Sequence, residues 1–300
     1  RLRCDWSSDV CSSDLLAWVL EVQSPRLLVR VPATNIGGRT GMTSDTSTVV
    51  SLHGVDVPVV RQGSGPPVLV LHGGDGPLDR LPFGESLSGS FELMHPTHPG
   101  FGGTPIPEHF DSLQDLIFLY LDLIDSLDLK DAILMGFSMG GWLAAELAVI
   151  SAGRFSKLVL VDSVGIKPGG PFDRDVADVF ALPAEELLNA AWHDRSQAPD
   201  IEKMTDDELQ TVAANRVAHG LYTWEPYMHN PKLRYRLHRI DIPTLLVWGE
   251  NDGIVTTDYG AALRDLIPTA SMSVISQAGH HPHIEQPGEF VARFMEFVSS

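Results

Sequence analysis

Cysteine is scarce in this chain. Its 300 residues include two cysteines, Cys4 and Cys11, and both stand near the start. From Met42 onward the chain therefore has neither a disulfide framework nor a thiol nucleophile. This cysteine usage fits a reducing compartment, and we expect a cytoplasmic protein.

Positive charge and long apolar runs are also scarce. The chain has 21 Lys and Arg against 39 Asp and Glu, a formal net charge of −18. Such a charge repels phosphate backbones and anionic lipid headgroups. The longest apolar run near the start, 15–20, is far shorter than the roughly 20 residues that span a bilayer. We therefore expect a soluble protein with no nucleic-acid or membrane partner.

The composition that remains is globular. Hydrophobic residues make up 43% of the chain and charged residues 20%, with 27 Gly and 21 Pro. These values exclude disordered, collagen-like and coiled-coil proteins as overall classes. The length fits one core with an insertion. Nothing in the sequence predicts the oligomeric state.

The first 41 residues differ in character from the rest of the chain. Residues 5–15, DWSSDVCSSDL, are low in complexity and resemble a translated sequencing-library adapter. They do not form a secretory signal, because three Asp interrupt them and the next apolar stretch is shorter than the about 7–15 residues such a signal needs. We expect 1–41 to be a non-native or disordered leader, with Met42 as a natural start. A genuine N-terminal extension is the alternative.

From residue 48 onward, apolar runs of strand length alternate with runs of helix length. This alternation is typical of βαβ units and predicts an α/β fold with a mostly parallel sheet. Four helices are predicted, at 113–127, 139–151, 258–266 and 287–298. The eight predicted strands are 48–52, 55–61, 68–72, 91–95, 132–137, 157–162, 244–249 and 271–275.

The alternation stops between residues 163 and 239. This stretch is polar, helical in pattern and free of strand-like runs, so it is interpreted as an inserted helical cap. The Gly- and Pro-rich segment 167–171 would lead into the cap, and 241–243 would lead back into the sheet. The two parts of the core are then 42–162 and 240–300.

The strongest chemical signal is the sequence Gly136-Phe137-Ser138-Met139-Gly140. It comes after the strand-like run AILM and precedes a helix-like run. A serine on a sharp turn from strand to helix is exposed at the helix N-terminus, and the flanking glycines let strand and helix pass closely. We interpret Ser138 as a nucleophile. The alternative is a purely structural role, in which this is a Gly-rich turn whose serine only caps the helix.

A serine nucleophile needs a base and an orienting carboxylate downstream. Asp252 and His280 each come after a predicted strand, in the chain order serine, acid, histidine. Because the carboxyl ends of parallel strands gather at one edge of a sheet, the three side chains can converge. His281 competes with His280 for the role of base, and Glu250 and Asp162 compete with Asp252 for the role of acid.

Acyl transfer also needs hydrogen-bond donors for the oxyanion. One predicted donor is the amide of Met139, directly after the nucleophile. The other is the amide of Gly74, in the glycine turn after the predicted strand 68–72. A phosphate-binding role for this turn is excluded, because it lacks the Lys-Ser/Thr and GxGxxG patterns.

Together these motifs resemble the α/β-hydrolase fold family, in its branch with a serine nucleophile and a helical cap. The matching segments are LVLHGG at 69–74, HPGFGGT at 98–104, GFSMGG at 136–141, WGENDGIV at 248–255 and AGHHPHIEQP at 278–287. The resemblance implies an eight-stranded, mostly parallel sheet flanked by helices. It also implies Ser138, Asp252 and His280 as catalytic triad, and Gly74 and Met139 as oxyanion hole.

The resemblance implies a small-molecule substrate and no cofactor. An ester hydrolase is the first expectation, with Trp142, Trp224 and Tyr227 as candidate pocket residues. A carbon–carbon hydrolase of ring-cleavage products is the alternative, and Arg216 or Arg234 would then have to hold the substrate carboxylate. A noncatalytic ligand-binding protein on the same scaffold is a third hypothesis. The HHxH cluster at 280–283 is not expected to bind a metal, because no second ligand cluster accompanies it.

Overall fold

The computed structural model describes residues 45–300, and its centre is one eight-stranded sheet. The predicted leader 1–41 lies outside the described residues. The strands are β1 (Thr46–Leu52), β2 (Val55–Gly63), β3 (Pro67–Leu71), β4 (Glu92–Pro96), β5 (Ala132–Phe137), β6 (Phe155–Val161), β7 (Thr244–Gly249) and β8 (Ala270–Ile275). All eight predicted strands are confirmed, with ends that differ by at most two residues.

The sheet order is β1-β2-β4-β3-β5-β6-β7-β8. β1 pairs with β2 and β2 with β4 in antiparallel fashion, and every later pairing is parallel. The predicted α/β class with a mostly parallel sheet is therefore confirmed.

The helices alternate with the strands along most of the chain. They are α1 (Gly84–Leu87), α2 (Leu113–Ser126), α3 (Met139–Ser151), α4 (Ala184–Ala191), α5 (Asp206–Thr223), α6 (Thr257–Arg264), α7 (Pro282–Glu285) and α8 (Pro287–Ser299). α2 begins with a capping box, in which Asp115 accepts from the backbone of Ser112.

Helices cover both faces of the central strands, which explains why these strands are apolar without alternation. On one face α2 and α3 pack against β3, β5 and β6, with Tyr120 and Leu143 fully buried. On the other face Phe290 and Phe294 of α8 pack on Val68 and Val70 of β3. The sheet therefore lies between two apolar cores.

The chain between β6 and β7 holds α4, α5 and short 3₁₀ turns. In this segment the structure shows one isolated bridge, between Gly165 and His229, and no strand. The helical character predicted for 163–239 agrees with this, while its standing as a separate domain stays a prediction. No helix among residues 45–300 is long and apolar enough to cross a bilayer.

Candidate active site

Ser138 lies on the turn between β5 and α3, and its backbone is strained. Its φ of +50° is in the left-handed region that side chains rarely adopt. A Cβ added to Gly136 would lie 2.2 Å from the carbonyl oxygen of Gly140. One added to Gly140 would lie 2.3 Å from the carbonyl oxygens of Leu71 and His72. Strand and helix therefore approach so closely that only glycine fits on either side of the serine.

Ser138, His280 and Asp252 form a continuous hydrogen-bonded row. His280 Nε2 lies 2.9 Å from Ser138 Oγ, and His280 Nδ1 lies 2.8 Å from Asp252 Oδ2. The other carboxylate oxygen of Asp252 accepts from the amides of Ile254 and Val255, at 2.8 and 3.0 Å. Because an ionised carboxylate only accepts, Nδ1 of His280 carries the proton and Nε2 is free to accept from the serine hydroxyl.

The electrostatics of the row favour a basic histidine. Burial by itself lowers the pKa of His280, because it penalises the imidazolium form. The charge and the hydrogen bond of Asp252 act in the opposite direction and prevail, so the pKa of His280 lies above its ordinary value of 6.5.

The residues that competed with His280 and Asp252 for the roles of base and acid make different contacts. The ring of His281 stacks on Trp192 with centroids 4.4 Å apart, and its Nε2 lies 3.6 Å from Asp75. Burial lowers the pKa of His281 to about 4. Glu250 is exposed. Asp162 is buried beside Asp252 but accepts from the amide of Gly249 instead of from the histidine.

Of the two residues predicted to supply the oxyanion donors, one follows Ser138 in the chain and the other lies in the loop after β3. Met139 is the first residue of α3, where backbone amides have no acceptor within the helix. A Cβ added to Gly73 would lie 3.3 Å from the Cβ of Ser138, so the loop after β3 touches the serine. Gly74 is the next residue of that loop and packs against the ring of His219.

A buried histidine pair fixes the start of this loop. His72 Nδ1 donates to the carbonyl of Gly73 at 2.8 Å, and His72 Nε2 accepts from the amide of His98 at 3.0 Å. His98 in turn bonds to the carbonyl of His72 and to the hydroxyl of Tyr120. Burial lowers the pKa of His98 to about 3 and that of His72 well below 6.5, so both rings stay neutral at pH 7.

The three candidate pocket residues occupy different environments. Trp142 is buried in α3, where its indole donates to Glu146 at 3.2 Å. Trp224 is 58% exposed and lies near Phe180. The hydroxyl of Tyr227 bonds to the backbone of the segment between β6 and α4. Their role in binding substrate stays a prediction.

The segment between β6 and β7 also supplies residues that the sequence did not single out. From α5, His219 places the ring edge with Nδ1, Cε1 and Nε2 against Gly74. Its Nε2 is buried and has no hydrogen-bond partner among the described residues. Burial lowers the pKa of His219 to about 4. No sequence signal could have found this residue, because its position depends on how α5 packs over the loop.

The end of α4 supports the acid and histidine loops. The carbonyl of Ala190 accepts from the amide of Gly253 at 2.8 Å, and that of Ala191 accepts from the amide of His280 at 2.7 Å. The buried Glu285 adds a second link, accepting from the amides of Asp194 and Gly279 at 2.8 and 2.6 Å.

One group of side chains in the described part of the chain offers metal-ligand atoms close together. These are Asp162, Asp252 and His280, with one donor atom of each within 4.8 Å of the others. Asp252 and His280 already use their facing atoms on each other. We therefore assign this group to the hydrogen-bonded row and not to a metal.

Comparison with known proteins points to one family. A family model described as "Alpha/beta hydrolase family" matches residues 68–294. A pimeloyl-[acyl-carrier protein] methyl ester esterase of Aeromonas salmonicida is 29% identical, over 81% of this chain and 100% of the relative. A 2-hydroxy-6-oxononadienedioate/2-hydroxy-6-oxononatrienedioate hydrolase of Cupriavidus pinatubonensis is 30% identical, over 59% of this chain and 65% of the relative.

Solved structures agree with the fold. The 2-hydroxy-6-oxo-6-phenylhexa-2,4-dienoate hydrolase from Rhodococcus sp. strain RHA1 superposes with a TM-score of 0.70 at 21% identity. The superposition covers 86% of this chain and 100% of that one. At this identity the likeness bears on the fold alone.

Proposed function

Because the chain belongs to the alpha/beta hydrolase family, we propose that it is a serine hydrolase that cleaves small to medium carboxylic esters through an acyl-enzyme. The observation that carries the proposal is the row Ser138–His280–Asp252, with both hydrogen bonds at 2.9 Å or less. A hydroxyl becomes nucleophilic when a positioned base takes its proton, and this row supplies the base.

In the proposed reaction, Ser138 Oγ attacks the ester carbonyl while His280 Nε2 takes its proton. The amides of Met139 and Gly74 hold the developing oxyanion, each contributing about 3 kcal/mol if they resemble donors measured elsewhere. His280 then protonates the departing alkoxide, which leaves an acyl group on Ser138. Water, deprotonated by His280, attacks the acyl group and releases the carboxylic acid. Throughout, Asp252 stabilises the imidazolium and fixes its orientation.

The charges near the row support an uncharged ester over a substrate that carries a carboxylate. The carbon–carbon alternative needs a cation for that carboxylate, and Arg216 and Arg234 are the candidates named from the sequence. Arg216 donates to the carbonyls of Val179 and Phe180, and Arg234 donates to the carbonyl of Lys167. Each guanidinium group thus uses one amino group on backbone carbonyls, while His219 and His281 beside the row have pKa values of about 4 and are neutral.

The experiment that tests the proposal is a time course with p-nitrophenyl esters of increasing acyl length, on wild type and Ser138→Ala. We expect turnover by the wild type, loss of at least about a thousandfold in the variant, and an acylated Ser138 detectable by mass spectrometry with a slow substrate. The dependence on acyl length measures the size of the pocket.

A matched control keeps this test specific. Ser163 is fully buried next to the elbow, and among the described residues its hydroxyl donates to the carbonyl of Val164. Ser163→Ala is expected to keep turnover. Equal turnover by Ser138→Ala and wild type would refute the acyl-enzyme. A folded protein without turnover of any ester, but active on a ring-cleavage product, would favour the carbon–carbon hydrolase. Binding of such compounds without turnover would favour a noncatalytic role.

A further inference from the structure

Asp162 is a buried carboxyl group that the proposed mechanism does not use. It comes directly after β6, is 1% exposed, and has a φ of +42°. Its Oδ1 accepts from the amide of Gly249, at the end of β7, at 2.9 Å. Its Oδ2 is buried and meets no hydrogen-bond donor among residues 45–300. A carboxylate oxygen left in this way is costly, whereas a protonated oxygen becomes a donor that needs only an acceptor.

An acceptor lies beside it. Carboxyl oxygens of Asp162 and Asp252 and a ring nitrogen of His280 lie within 4.8 Å of one another. Glu285 is a further acid whose charge acts on Asp162. Two carboxylates that share a buried site cannot both ionise without a large cost. Asp252 already accepts from the amides of Ile254 and Val255 through Oδ1, and its Oδ2 faces Nδ1 of His280.

We propose that Asp162 keeps its proton at neutral pH and donates a hydrogen bond from Oδ2 to the carboxylate of Asp252, so that it acts as a positioning residue for the triad. The inference rests on the proposed function. In agreement with this geometry, burial and the neighbouring charge of Asp252 raise the pKa of Asp162 well above its ordinary value, against the opposing hydrogen bond from Gly249.

The proton on Asp162 has two consequences for His280. Asp252 gains a donor in addition to the amides of Ile254 and Val255, which restricts the orientation of its carboxylate toward Nδ1. The site also carries one negative charge beside the imidazole instead of two. The pKa of His280 is therefore raised less than two carboxylates beside the imidazole would raise it.

The decisive variant is Asp162→Asn. An asparagine can accept from Gly249 with its oxygen and donate to Asp252 with its NH₂, and it carries no charge. The pKa of His280 is measured by NMR titration of its ring nitrogens in the Ser138→Ala background, where the readout does not depend on turnover. If Asp162 is protonated, its replacement by asparagine shifts this pKa by less than about 0.3. If Asp162 is a carboxylate, the loss of a charge within a few ångströms lowers the pKa by about one unit or more.

Ester hydrolysis supplies the second readout. Removal of the donor in Asp162→Ala is expected to lower kcat/KM about tenfold, the equivalent of one hydrogen bond to a charged group, and mostly through kcat. Asp162→Asn is expected to restore most of this loss. Circular dichroism checks that the alanine variant folds, and the asparagine variant serves alone if it does not.

Each experiment has a result that would refute one part of the proposal. A fall of one unit in the His280 pKa in Asp162→Asn refutes the protonated carboxyl. An unchanged kcat/KM in a folded Asp162→Ala refutes the positioning role. A wild type that hydrolyses no ester refutes the proposed function, while the NMR titration still decides on the proton of Asp162.

Discussion

Glu285 links the segment between β6 and β7 to the loop that carries His280. Its side chain is 5% exposed. One oxygen accepts from the amide of Gly279, directly before His280, and the other from the amide of Asp194, in the inserted segment. We predict that Glu285→Ala destabilises the protein and misplaces His280, whereas Glu285→Gln does so less.

The expected magnitude comes from these two bonds. Gly279 is buried, so its orphaned amide costs about 1–3 kcal/mol, while Asp194 is exposed and its amide can bind water, at a net loss of about 0.5–1.5 kcal/mol. Together Glu285→Ala should lower the free energy of unfolding by about 2–4 kcal/mol. The amide oxygen of Glu285→Gln can still accept from Gly279, which limits the loss to about 1 kcal/mol.

The assay is urea unfolding followed by tryptophan fluorescence, together with ester kinetics in which kcat should fall more than KM changes. Glu289→Ala is the matched control: this glutamate pairs with Arg293 on the surface of α8, where such pairs contribute about 0–1 kcal/mol. If Glu285→Ala unfolds within 0.5 kcal/mol of the control, the two bonds do not hold the loop and the reasoning is wrong.

Three further predictions concern the elbow and the histidines. Gly140→Ala puts a Cβ 2.3 Å from the carbonyl oxygens of Leu71 and His72. We therefore expect the free energy of unfolding to fall by about 2 kcal/mol or more, with a lower melting temperature and loss of ester turnover. An unchanged melting curve would contradict this. Because neutral His280 is the base and its pKa is raised, kcat/KM should fall as the pH drops, with a midpoint above 6.5. A midpoint below 6 in the pH profile would contradict this prediction. His95 and His98 have folded pKa values lowered to about 4 and about 3, while in the unfolded chain they take up protons near 6.5. Each of these two histidines should therefore lower the free energy of unfolding by about 1.4 kcal/mol per pH unit as the pH falls below 6.5. Urea unfolding curves that coincide at pH 7 and pH 5 would refute this prediction.

Most of the fold could be predicted because its signals are local. Continuous apolar runs such as VLVL at 68–71 mark central strands that are covered on both faces. The outer strands β1 and β8 are shorter apolar runs flanked by polar residues, and they too lie where the sequence predicts them. The convergence of Ser138, Asp252 and His280 was predictable from topology as well, since parallel strands end at one edge of the sheet. The serine-to-histidine distance of 2.9 Å agrees with that expectation.

The packing between distant segments, by contrast, has no signal in the sequence. His219 lies over Gly74 only because α5 crosses the loop after β3, and α5 has no apolar stripe that predicts its direction. Asp162 could be named as a competing acid, but its unpartnered oxygen is visible only once β6 and β7 lie side by side. Trp142 could be named from its aromatic character, but its bond to Glu146 is visible only in the structure, and its pocket role stays a prediction.

The two carbonyls at the end of α4 bear on how such enzymes can be recombined. Ala190 and Ala191 satisfy the amides of Gly253 and His280, and in return those amides satisfy carbonyls that a helix end leaves open. A chimera in which the whole segment between β6 and β7 comes from a relative would also exchange these acceptors. In such a chimera, substrate preference could not be transferred without disturbing the reaction. Grafts confined to the stretch after residue 194 leave α4 and its two acceptors in place, and those that also keep His219 preserve the contact with Gly74.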